Sequence, residues 1–151
     1  AWTLPGSRAG WPVGAAEACQ RLRVVLVEGG PDLLAALHLA RAAGVLPDVG
    51  VCAMLGAGCR ILPDALTLFR GKRVRLFPHA DPPRLDGSAP GIDGAARWQD
   101  ALTEAGAVVD CFDLSGLTGA DGRPLKDLND VAREWPRLAA EDAELADCMN
   151  F

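Results

Sequence analysis

Three side chains sit where a parallel sheet would bring chemistry together. Glu28 closes the apolar run of "VVLVEGG", and His79 and Asp81 close a second such run, "RVRLFPHAD", about fifty residues later. Acids at the tips of two core strands repel one another unless a cation or a proton lies among them. Oxygen donors of this kind favour a hard ion such as magnesium, which retains waters and bridges to a substrate phosphate. A metal held there reverses the local sign, so a domain with a surplus of acids can still act on a phosphate.

The surrounding pattern supplies the strands and helices that must position these groups. "RVVLVEG" is unbroken in apolar character, as expected for a parallel strand covered on both faces. Pro31 suits the first position of a helix over 31–44, and Gly44 suits its exit. A second strand over 49–55 leads through the tight turn "GAGC" to a short helix over 62–71. A third strand, "RVRLF", precedes the Gly/Pro-rich loop "DPPRLDGSAPG" and a helix over 93–106. A fourth strand over 107–114 is followed by a polar hairpin or loop over 115–124. A last helix, "KDLNDVAREW", should be limited by Pro136, with further helical turns in the tail 137–151. Strand and helix thus alternate four times, which predicts an α/β fold. The expected sheet is Rossmann-like, with about four parallel strands and helices on both faces. In such sheets the functional crevice lies beyond the carboxyl ends of the strands. Glu28 and Asp81 occupy two of those ends, so their carboxylates are expected to share one ion.

Composition narrows the class further. The chain has 151 residues, 50% hydrophobic and 23% charged, and a formal net charge of −5. That suits one globular domain and argues against binding nucleic acid by phosphate neutralisation alone. No apolar run reaches the roughly 18 residues of a membrane span. The five cysteines are scattered without a C-x-x-C pair, which predicts free buried thiols in a reducing cytoplasm. The chain begins at Ala1 without a methionine, and residues 1–21 have no sustained period. They are expected to be a lead-in from a larger protein, with Trp2 and Trp11 packing on the domain or a neighbour.

Taken in order, "VEGGPDLLA", "MLGAG", "FPHAD…GAARW" and "KDLND" resemble the Toprim domain of topoisomerases, primases and related nucleases. Primase-like proteins of phages and mobile elements are the nearest in pattern. The resemblance spans about residues 22–135 and implies a Toprim domain over 22–151. It implies Glu28 as a general acid/base with Asp32 as the accompanying acid. Asp81 would be the second acid of a D-x-D metal motif and Asp127 the acid of a "KD" element, with Asn129 and Asp130 as further polar ligands. Gly56 and Gly58 match glycines after the second strand. The implied activity is nucleotidyl or phosphoryl transfer in DNA replication, with Mg2+ or Mn2+. The implied partners are DNA and/or RNA, nucleotides, and other domains such as a zinc finger or a helicase module.

One position departs from the family pattern, since His79 stands where the first D-x-D acid is expected. Imidazole suits manganese or zinc better than magnesium. The substitution leaves three outcomes open: one metal in place of two, a manganese preference, or a silent module that keeps the fold. Asp86 or Asp93 in the following loop could replace the missing ligand. A nuclease using the same acids is a further alternative.

Several candidates have structural alternatives. Asp32 offsets a helix dipole, and Asp127 or Asn129 can cap the last helix. Arg70, Lys72, Arg73 and Arg75 could guide a nucleic-acid backbone or merely solvate a helix end. His38 and Trp98 read as packing residues.

Overall fold

The computed structural model of the protein describes residues 7–151. Trp2 lies outside the described residues. Four strands, β1 (Arg23–Val27), β2 (Val49–Ala53), β3 (Arg73–Leu76) and β4 (Val108–Cys111), form one parallel sheet in the order β2-β1-β3-β4. β1 therefore lies beside β3, with Arg23 opposite Arg73 and Leu26 opposite Leu76. The fold is α/β and Rossmann-like, as the strand–helix alternation predicts.

Side chains alternate across a strand, so β1 feeds two cores at once. Val25 and Val27 point into one with Val51, Leu39, Trp135 and Leu138. Val24 and Leu26 point into the other with Met54, Phe69, Leu76, Trp98 and Leu102. These four of the five β1 residues are buried, each contributing about 1.5–3 kcal/mol. Helices α2 (Gly30–Ala42) and α5 (Leu128–Glu141) supply the first core, and α4 (Pro90–Glu104) supplies much of the second. Pro31 lies in the first turn of α2, and Gly44 leaves that helix in the left-handed region at φ 72°.

Two local expectations change. The 62–71 segment holds a single α-turn, α3 (Pro63–Leu66), continued by the 3-10 turn Thr67–Phe69. α5 runs through Pro136 to Glu141, because its strongly one-sided apolar face buries Val131, Trp135 and Leu138. That burial outweighs the one backbone hydrogen bond that proline removes. A short α6 (Ala143–Ala146) follows in the tail, as expected.

Residues 11–18 of the lead-in are part of the fold. Val13 bridges Ala53 at the edge of β2, and the short α1 (Ala15–Ala18) buries Ala15 and Ala18 in the second core. Half-buried Trp11 packs against the same core. Gly50 makes this approach possible, since a Cβ there would lie 2.1 Å from the Ala18 carbonyl oxygen. Among the described residues no helix is long and apolar enough to cross a membrane.

Candidate metal centre

The carboxyl edge of the sheet gathers groups from the connections that follow all four strands. Glu28 follows the last residue of β1, and its backbone carbonyl and side chain are both tied to the turn after β2. Gly56 N–H donates to the Glu28 carbonyl at 2.9 Å, and Ala57 N–H donates to Glu28 Oε1 at 3.1 Å. Asp32 stands in the first turn of α2 and is only 4% exposed. His79 comes three residues beyond β3, where Gly91 of α4 packs so closely that a Cβ would lie 2.8 Å from that of His79. Asp127 is the N-cap of α5, accepting the Asp130 N–H at 2.8 Å. The Ala80 N–H donates to the Lys126 carbonyl at 2.7 Å and so fastens the His79 segment to the Asp127 segment.

His79 is the hub of this group. Its Nε2 lies 2.8 Å from Asp32 Oδ2, and its Nδ1 lies 3.4 Å from Glu28 Oε2. Ligand-type atoms of Asp32, His79 and Asp127 all fall within 4.8 Å of one another. The hydrogen bond to Asp32 is the main reason the imidazole pKa is pushed up from 6.5 to about 9. Burial opposes it, and the charges of Glu28, Asp32 and Asp127 reinforce it. At neutral pH the ring is therefore an imidazolium, its Nε2–H donating to Asp32 and its Nδ1 side facing Glu28 as an ion pair. Asp127 is raised from its ordinary value, chiefly by burial. The Asp130 N–H and the His79 charge oppose that rise, and the charges of Asp32 and Asp130 add to it. Asp32 Oδ1 is buried and has no hydrogen-bond partner among the described residues. A buried orphan oxygen costs about 1–3 kcal/mol unless a donor, water or cation satisfies it.

The remaining predicted residues divide sharply. Asp81 does not join the group; it is exposed, with Oδ1 3.4 Å from Lys126 Nζ. Glu28 and Asp81 thus leave neighbouring strands, yet the partners that meet Glu28 are His79 and Ala57. Asp130 completes a reciprocal cap, its Oδ2 accepting the Lys126 N–H at 3.2 Å, and its Oδ1 lies 3.4 Å from Arg133. Asn129 lines a surface groove with Pro31, Leu34 and His38 instead of the cluster. Asp86 and Asp93 accept local N–H groups from Ser88 and Ala89, and neither reaches His79.

The basic stretch belongs elsewhere. Arg70, Lys72 and Arg73 precede or open β3, at the amino end of the sheet, with Arg70 and Arg73 exposed. Six residues of chain separate Arg73 from His79, about 20 Å if extended. Arg75 is committed internally: it forms a bidentate pair with Asp110 at 2.9 and 2.7 Å, donates to the Cys148 carbonyl, and stacks over Phe151. It has no free edge for a nucleic-acid backbone. His38 is exposed on α2, not packed, while Trp98 is core and donates Nε1–H to the Cys59 carbonyl at 2.8 Å.

Sequence reasoning missed Ala57, Arg97 and Lys126. Arg97 Nη2 donates to the Ala57 carbonyl at 2.8 Å, so α4 braces the turn that holds Glu28. The "GAGC" turn was the available signal, since glycines there permit close backbone approach. Fold and site together define a Rossmann-like α/β domain with one imidazole clasped by carboxylates at its carboxyl edge. Comparison with protein-family models, with curated proteins and with solved structures gives no match.

Proposed function

We propose that this chain is a Toprim-type domain of a primase-like replication protein from a phage or mobile element, acting by metal-dependent nucleotidyl transfer on nucleic acid. The observation that supports this reading is the convergence of Asp32, His79 and Asp127 beside Glu28, with Asp32 Oδ1 buried and unpartnered. These residues fit one divalent ion. Asp32 and Asp127 would hold it, with His79 as a third donor once deprotonated, and a mixed oxygen–nitrogen set favours Mn2+ over Mg2+. When bound, the ion supplies charge neutralisation and orientation for a phosphate.

The chain's own groups divide the remaining work. Ala57 N–H occupies Glu28 Oε1, which leaves Oε2 as the oxygen that takes or gives a proton. His79 stores a proton between Glu28 and Asp32, so the cluster is compensated before any cation arrives. DNA and/or RNA with nucleotides would be the substrates, and other domains of the parent protein the partners. The five free cysteines support a reducing, cytoplasmic setting.

A second reading has its own support. Both ring nitrogens of His79 face carboxylates, so a proton fills the place of an ion, as expected for a catalytically silent module. A thermal titration separates the two. Millimolar Mn2+ at about pH 9, where His79 releases its proton, should raise the Tm by several degrees. Asp32→Asn should abolish that rise. If neither Mn2+ nor Mg2+ moves the melting curve at that pH, the metal-dependent reading fails and the silent module stands.

A further inference from the structure

We propose that Arg97 is the phosphate-contact residue of this site, the group that receives the backbone of a single-stranded nucleic acid beside Glu28. The inference rests on the functional reading above and names the chain's own contact for its substrate.

Four observations converge on Arg97. Its guanidinium has five N–H donors and, among the described residues, uses one, to the Ala57 carbonyl at 2.8 Å. It is exposed and forms no ion pair among the described residues, although the chain has more acids than bases. Only the backbone of Ala57 stands between the guanidinium and Glu28 Oε1, which puts the two charges within about 10 Å. Finally, the turn does not depend on Arg97 alone. Trp98 Nε1–H holds the Cys59 carbonyl at 2.8 Å, Cys59 N–H closes on the Gly56 carbonyl at 3.0 Å, and Gly94 packs directly on Ala57. The charge on residue 97 is thus surplus to the local structure.

An arginine with four donors unengaged among the described residues, at the rim of an acid cluster, suits an anion with several oxygens. A phosphodiester fits, because the planar fork can take two of its oxygens at once. The basic residues that sequence alone singles out cannot serve this edge: Arg70, Lys72 and Arg73 lie at the opposite end of the strands, and Arg75 is paired with Asp110. A substrate held at Glu28 needs a cation on the Glu28 side, and Arg97 supplies one.

The test uses the full chain and a fluorescein-labelled single-stranded oligodeoxynucleotide in Mn2+ buffer, read by anisotropy over a range of potassium chloride. Arg97→Gln should weaken binding about tenfold at low salt. It should also flatten the plot of log affinity against log salt by about 0.7, the loss of one phosphate contact. Arg97→Lys should restore the slope and part of the affinity. Arg73→Gln should match the wild type. The proposal is overturned if Arg97→Gln keeps the wild-type slope, even if its melting temperature falls, because a brace for Ala57 alone would lower stability without touching salt dependence. It is equally overturned if Arg73→Gln flattens the slope as much, or if the wild type binds no oligonucleotide. The Mn2+ thermal shift, measured on the same samples, separates these failures from failure of the metal site. A normal shift with an unchanged slope removes Arg97 and leaves the centre intact.

Discussion

Raising the pH through the folded-state pKa of His79 strips a proton that two carboxylates hold. The ring titrates at about 9 in the folded chain against an ordinary 6.5. Below about pH 6 the imidazole is protonated in both folded and unfolded states, and its stabilising effect is fully present. As the pH rises past the unfolded value, folding must take up a proton from solution, and the effect is gone above about pH 9.5. At 1.36 kcal/mol per pKa unit, about 3 kcal/mol of stability is at stake. The ring is only half-buried, so solvent screening makes that figure an upper bound. Buried thiols complicate the alkaline limb. Cys19 is pushed up by burial to about 11, against the pull of Lys72, and Cys148 is pushed up by burial to about 12. Their contribution also falls as the pH passes 9, in the same direction as that of His79. Comparison with His79→Asn removes them, because both proteins keep the thiols. Urea unfolding of the two from about pH 6 to 9.5 should show the wild type losing up to about 3 kcal/mol relative to the variant, or up to about 6–12 °C in Tm. Parallel stability curves would mean that His79 is not held as a buried imidazolium, and the electrostatic account of the cluster would fall with it.

Other perturbations read other parts of the molecule. Because an imidazolium cannot ligate, the Tm rise caused by Mn2+ should grow between about pH 6.5 and 9, and a thermal titration at several pH values measures it. Asp127→Asn should leave stability nearly unchanged, as asparagine caps a helix as well as aspartate, whereas Asp127→Ala should cost about 1 kcal/mol by urea melts. Both should weaken Mn2+ binding, which separates the capping role from the site. Gly94→Ala would press a methyl to 2.9 Å from Ala57 and should cost about 1–3 kcal/mol in urea unfolding.

The frame was legible because it rests on short-range rules. An unbroken "VVLV" run, Pro31 and Gly44 declare a buried parallel strand and the helix after it without knowledge of distant partners. Glu28 and His79 were legible for the same reason, since each stands where a core strand runs out. Asp81 was not. The chain leaves strand geometry after Leu76, so the rule that alternate residues share a face stops before His79, and Asp81 turns to Lys126. Arg75 was misread because its partner depends on register: Asp110 lies directly opposite it on β4, a pairing that spacing along the chain does not reveal. The docking of α1 depends on the missing side chain of Gly50, a backbone contact with no apolar pattern to announce it.

The clasp around His79 joins residues far apart in the chain: 47 positions separate it from Asp32, and 29 separate Ala57 from Glu28. His79 cannot meet Asp32 or Glu28 until the crossovers have closed and β3 has docked beside β1. Loop-closure entropy precedes any reward from such contacts, so during folding the imidazole should acquire its proton affinity late. A refolding chain observed by its histidine signals would register the centre only after most of the sheet had assembled, and truncated fragments would have no centre at all.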